Sequence, residues 1–167
     1  MIIAMLSTKQ AIREITDNEL SNSAKVIRDS FKTVAIEFSL TKGNCPTHPS
    51  LTTVHQLRKL KEKGLLLFGL FLGNIQVGFV AIEKAENDLY YMEKLAVLPD
   101  YRHKGYGVEL AKFVLGCIKN RGGKKLGIGI MNDHTVLKDW YKGLGFKETS
   151  TKRFPHLPFT VCFMEIA

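Results

Sequence analysis

Cysteine is scarce in this 167-residue chain. Cys45, Cys117 and Cys162 are odd in number and widely spaced, which excludes a disulfide framework and leaves no Cys/His grouping for zinc or redox chemistry. Reduced thiols, as in a cytoplasm, are the simplest account. Cys117 and Cys162 lie in apolar runs and read as small core residues. Long hydrophobic runs are missing too. The longest, Leu65 to Ile75, is broken by Gly69, Gly73 and Asn74, and it falls short of the ~20 residues that cross a bilayer. The opening Met1-Ile2-Ile3-Ala4-Met5-Leu6 has no basic head and is too short for a secretory signal. Acidic residues are in the minority, 16 against 24 Lys and Arg, a net charge of +8. That balance favours anionic partners. The lysines are nevertheless spread out, dense only at Arg58-Lys59-Leu60-Lys61-Glu62-Lys63, so most of the excess reads as solvated surface. No helix-turn-helix, aromatic-basic strand or zinc pattern supports nucleic-acid binding. The expectation is a cytoplasmic protein with no membrane, metal or nucleic-acid partner.

What is present suits one core. The chain is 45% hydrophobic with ten Phe, and its length predicts a single domain, 1–167. Ala11–Ile15 reads as a first strand. Leu20, Ala24, Ile27, Phe31, Val34 and Ala35 recur at helical spacing, predicting one helix or two between Asn18 and Phe38. The loop 43–50 holds two prolines, and Thr52 or Thr53 caps a helix from Val54 to Lys63. Leu65–Leu72, Ile75–Lys84 and Leu89–Val97 predict three antiparallel strands, the first two joined by a Gly73-Asn74 turn. In the third, period two places Tyr91, Glu93, Leu95 and Val97 on one face. A helix with an apolar stripe from Val108 to Ile118 follows Gly107. Lys125–Ile130 predicts a buried strand, Thr135–Tyr141 a helix, and Phe146–Lys152 and Phe159–Ile166 the last strands. The fold class is α/β with a mixed sheet.

The chemistry concentrates where the third strand ends. Arg102-His103-Lys104-Gly105-Tyr106-Gly107 joins that strand to the long helix. Small residues let backbone N–H groups approach an anion beside the positive end of a helix dipole. Arg102 and Lys104 could add charge. The run lacks the Gly-Lys-Ser/Thr of a P-loop and the third glycine of a dinucleotide fingerprint.

Val97-x-Pro99-x-x-Arg102-x-x-Gly105-x-Gly107 resembles the signature of the GNAT N-acetyltransferase superfamily, and Trp140-Tyr141-x-x-x-Gly145-Phe146 resembles its second landmark. The order of elements is similar over nearly the whole chain. The resemblance implies a central, mostly antiparallel sheet splayed at the cofactor site and flanked by helices. It implies acetyl-CoA as cosubstrate, its pyrophosphate on the amides of Arg102, His103, Lys104, Gly105, Tyr106 and Gly107, and its pantetheine arm along Leu95, Ala96 and Val97. It implies direct transfer to an amine of a small molecule, peptide or protein, with Tyr141 as proton donor to the departing thiolate and Glu93 either the base or a surface glutamate. An asparagine seven residues before the tyrosine contacts CoA in many members. His134 has that spacing here and Asn132 lies two residues earlier, so either is the candidate. His134 reads more simply as a helix-start residue, and His103 as a flank to the phosphates. Dimers are frequent among such proteins, which admits a homodimer. The alternative is a catalytically weak CoA-binding or regulatory module of the same fold. Cys45 and His48 invite a thiol–imidazole reading but lack an activating context. Their loop reads as a cover for the acceptor cleft or as plain structure, and Trp140 and Phe146 read as core.

Overall fold

The computed structural model describes residues 9–167, and the expectation for Met1–Leu6 lies outside them. Strand β1 (Gln10–Glu14) leads through a short 3-10 turn, Asp17–Glu19, into helix α1 (Leu20–Glu37). Thr16 and Glu19 close a capping box ahead of the turn, which satisfies donors that an uncapped start would leave bare. The apolar spacing from Leu20 to Ala35 thus forms one helix. Helix α2 (Val54–Glu62) starts from a second capping box, Thr53 with Gln56. Strands β2 (Leu66–Leu72), β3 (Ile75–Lys84) and β4 (Leu89–Val97) follow, then helix α3 (Tyr106–Asn120), strand β5 (Lys125–Met131), helix α4 (Thr135–Gly143) and strands β6 (Lys147–Arg153) and β7 (Thr160–Ile166). No described helix is long and apolar enough to cross a membrane.

The seven strands form one sheet in the order β1-β2-β3-β4-β5-β7-β6. All neighbours are antiparallel except β4 and β5. Two cores cover its faces. On one, Ile15, Leu20, Ile27 and Leu57 from the α1 and α2 side meet Leu67, Phe79 and Ala81 of the sheet. On the other, Leu110, Val114 and Ile118 of α3 and Tyr141 of α4 meet Val80, Ile82, Met92, Leu126 and Ile128. The spacing of Leu110, Ala111, Val114 and Ile118 is one helical stripe, which is why those four are the buried residues of α3.

Two irregularities shape β4. Between the partners Ala81↔Glu93 and Phe79↔Ala96, the single residue Val80 faces both Lys94 and Leu95. Lys94 takes a left-handed φ of 54°. This is a β-bulge, and an extra residue reverses the side-to-side alternation beyond it. Tyr90 and Met92 lie in the α3-side core, yet past the bulge it is Leu95 and Val97 that pack there, while Ala96 joins the α1 side. Glu93 pairs with Ala81, which belongs to the α1-side core. The period-two expectation of one face for Tyr91, Glu93, Leu95 and Val97 is therefore corrected: Tyr91 and Glu93 share the α1 face, Leu95 and Val97 the opposite one.

The second irregularity is that β4 and β5 pair at only three positions, Leu89–Tyr91 with Lys125–Gly127. Beyond them β5 runs on with β7 to Met131 and β4 runs on with β3 to Val97. The expected splay is present, and among the described residues it leaves the β5-side edge of β4 from Met92 to Val97 without a strand neighbour. Phe79, fully buried at the centre of the α1-side core, tests the layering. Phe79→Ala is expected to cost about 3–5 kcal/mol in urea unfolding, whereas Lys147→Ala on the wholly exposed β6 should stay within about 0.5 kcal/mol. Similar losses at both positions would contradict this assignment of core and surface.

Candidate active site at the splayed strands

The loop after β4 is built to leave amides bare. Pro99–Tyr101 make a 3-10 turn that uses the Arg102 N–H, donated to Pro99 O at 3.2 Å. His103 and Gly105 then take left-handed φ values of 61° and 86°. Gly105 is the N-cap of α3 and gives no side-chain cap. The first helical bond runs from Glu109 N–H to Gly105 O at 3.0 Å. Among the described residues, the N–H groups of His103 through Val108 have no acceptor. Six consecutive donors at a helix N-terminus make an anion seat. The run starts at His103, since the Arg102 amide is spent. Gly107 is needed for close approach, because a Cβ there would lie 3.2 Å from Cζ2 of Trp140.

The Arg102 side chain is also spent. Its Nε donates to Val97 O at 3.2 Å, one terminal nitrogen to Thr33 Oγ1 at 3.0 Å and the other to Ser30 O at 2.6 Å. The guanidinium thus latches the end of β4 to α1. Lys104 and His103 remain exposed, and Lys104 Nζ stands 5.6 Å from the Tyr101 ring centroid.

Tyr141 is 5% exposed, held edge-on between Trp140 and Phe146 at 4.9 and 5.3 Å. Burial alone raises its hydroxyl pKa, so it stays protonated near neutral pH. Its hydroxyl has no partner among the described residues, where every fully enclosed side-chain oxygen has one. Glu93 is half-buried at the bulge. Burial and then the neighbouring Glu83 carboxyl push it up to about 7, with Lys94 pulling the other way. A carboxyl at that value is half ionised at neutral pH, the range in which a general base works best. Among the described residues no group of three or more His, Cys, Asp and Glu is arranged to hold a metal.

A family model described as Acetyltransferase (GNAT) family matches residues 34–146. The chain belongs to the acetyltransferase (GNAT) family. Its class of activity is accordingly acyl transfer. No curated protein matches the sequence. Solved structures similar to the fold include the ribosomal-protein-S18-alanine N-acetyltransferase of Escherichia coli, with 16% identity, TM-score 0.72 and coverage of 95% of this chain and 93% of that one. PaiA N-acetyltransferase of Thermoplasma acidophilum, solved in complex with coenzyme A, is 19% identical, with TM-score 0.73 over 94% of this chain and 98% of that one. An acetyltransferase of Thermus thermophilus is 17% identical, with TM-score 0.74 over 97% of this chain and 99% of that one.

Against the GNAT pattern, the two candidates before α4 have local duties. His134 Nδ1 accepts the Leu137 N–H at 3.2 Å and so caps α4, its ring against Phe38 at 5.0 Å. Asn132 Oδ1 accepts from Lys138 Nζ at 2.7 Å, which leaves its NH2 group as the free end. Cys45 is buried, and burial raises its thiol. His48 Nδ1 is engaged by Ser50, and among the described residues no hydrogen bond joins its imidazole to the Cys45 thiol. The sequence reading passes over Glu83, Lys94, and the Ser30 and Thr33 ends of the Arg102 latch. A pair of adjacent charges inside an otherwise apolar strand, Glu93-Lys94, was the available sign of a bulge. The latch spans 69 residues and has no sequence signal. Arg102→Lys keeps the charge but loses the fork, and is expected to cost about 1–3 kcal/mol in urea unfolding. Unchanged stability would mean the latch holds nothing.

Proposed function

We propose that this chain moves the acetyl group of acetyl-CoA to a primary amine of a small molecule or peptide by direct attack through a tetrahedral intermediate. One juxtaposition carries the reading: the amide run His103–Val108 and the raised carboxyl of Glu93 sit at the two ends of one unpaired strand edge, residues 92–97. A phosphate-bearing donor seated on the amides would run its arm along Leu95, Ala96 and Val97 toward the bulge. The reacting carbonyl would then lie near Glu93, with a backbone N–H near Leu95 for the oxyanion. The E. coli and T. acidophilum neighbours, named as N-acetyltransferases and one of them holding coenzyme A, support the donor and the acceptor atom.

The steps balance on this chain's own groups. The attacking nitrogen forms a bond to the thioester carbon, and collapse of the intermediate breaks the carbon–sulfur bond. Glu93 takes the ammonium proton before attack, passes it to solvent, and takes the nitrogen's second proton once the intermediate has formed. Tyr141 gives its hydroxyl proton to the departing sulfur and is refilled from solvent. Because Glu93 acts deprotonated, kcat/KM should fall about tenfold per unit below pH 7 and level off above it. Glu93→Gln should erase that limb and lower turnover by about 100-fold or more. A pH–rate profile still bending near 7 in the variant would remove Glu93 from the role. Tyr141→Phe should lower kcat by about 10- to 100-fold and leave acetyl-CoA affinity, read by calorimetry, within about 2-fold. Gly105→Val, which forces a branched residue into a left-handed φ of 86°, should do the reverse and weaken acetyl-CoA binding by at least about 10-fold. Saturable acetyl-CoA binding without transfer to any amine would favour the weak CoA-binding module instead.

A further inference from the structure

The transfer chemistry above leaves Lys94 unused, and its setting is hard to explain as packing. It sits in the bulge of β4 at a φ of 54°, a conformation uncommon for a residue with a side chain. Its neighbours in the strand are apolar apart from Glu93. No hydrogen bond and no ion pair within 4.0 Å engages its ammonium among the described residues. The residue itself is only partly buried. The charges that face it are Glu93 beside it, Glu83 behind Glu93, and His48 from the α1–α2 connection, whose imidazole is lowered by burial first and by Lys94 second. A partly buried ammonium with no partner among the described residues costs stability that a leucine or methionine would not. Such a group is explained when a ligand completes it.

Resting on the acetyl-transfer reading, we propose that Lys94 selects the acceptor: an amine that carries its own carboxylate, as a free amino acid does, with the carboxylate on Lys94 and the amine at Glu93. The charges agree with that choice. A plain alkylammonium would bring a second cation against Lys94, whereas an amino acid brings a carboxylate for Lys94 and an ammonium for the Glu83 and Glu93 carboxyls. A dianionic phosphate would meet the two carboxyls of Glu83 and Glu93 at close range, while a singly charged carboxylate is matched by Lys94 alone. The position agrees as well, since Glu93 and Lys94 are consecutive at the bulge, where the donor's arm would end.

The test compares amino acids with their own carboxamides as acceptors for the whole protein with acetyl-CoA, and needs no variant to begin. Wild type should prefer the acid over the amide by about 10- to 100-fold in kcat/KM, the worth of one hydrogen-bonded ion pair. In Lys94→Gln the ratio should collapse toward one, and Lys94→Arg should restore part of it. A melting curve checks that Lys94→Gln folds, and removal of the unpaired charge should leave it at least as stable as wild type. Equal use of acid and amide, a preference for the amide, or a preference that survives Lys94→Gln would each overturn the proposal. No transfer to either series, with calorimetry still showing saturable acetyl-CoA binding, would also overturn it while leaving the donor reading intact. Loss of acetyl-CoA binding itself would sink the underlying reading.

Discussion

One extra residue in β4 governs the geometry of the site. Without the bulge, strict alternation would carry Glu93, Leu95 and Val97 to the same face. The apolar side chains that anchor the strand on α3 would then share a surface with the carboxyl. With it, Tyr90, Met92, Leu95 and Val97 all reach the α3-side core although their spacing is not even throughout, and Glu93 is released to the α1 face. The bulge also raises local twist. β4 leaves β5 within two residues of it, after the Tyr91–Gly127 pair. The opened edge and the reversed face therefore share a location. In the proposed reaction a donor would lie against the edge from one side of the sheet while an acceptor would meet Glu93 from the other.

The Arg102 latch ties these two sides together. Its three hydrogen bonds join the end of β4 to the carbonyl of Ser30 and the hydroxyl of Thr33 on α1. The loop that carries the bare amides thus cannot shift without α1, which borders the face presenting Glu93. Burial lowers the Arg102 pKa, yet a guanidinium stays charged at any relevant pH. Its charge adds to the positive field at the start of α3 even though its donors are committed elsewhere. The amides supply directed hydrogen bonds and the arginine holds them in place. A sequence motif containing Arg102, Gly105 and Gly107 is thereby divided between a scaffold role for the first and, in the proposed reaction, an anion seat formed by the backbone around the others.

Much of the fold was legible because local rules and tertiary burial agree. The apolar stripe of α3, the Gly73-Asn74 turn and the capping Thr53 each act within a few residues. They were readable to within one or two positions at most ends. The loop was legible for the same reason, with its glycines spaced for positive φ and for the close approach of Trp140. What could not be read is non-local. The bulge depends on how β3 pairs with β4, and period two has no means of announcing an inserted residue. The environment of Glu93 needed Glu83, ten residues away on another strand. Arg102 looked like a phosphate contact because its partners on α1 lie far away in sequence. His134 could be read as a helix start, since capping is local, and the structure places it there.

The electrostatics at the bulge favour coupling of acceptor recognition to proton removal. Among the described residues Lys94 is the one charge that favours ionised Glu93, opposed by burial and by Glu83. An acceptor carboxylate paired with Lys94 would cancel that favourable charge. It would also exclude water from the α1 face, deepening the desolvation that already raises Glu93. Both changes make the carboxylate a stronger base at the moment the acceptor nitrogen must lose its proton. A neutral acceptor would leave Lys94 pulling on Glu93 and the base weaker. The cation that fixes the acceptor would then also set when Glu93 is most ready to act, through the same charges and with no moving part.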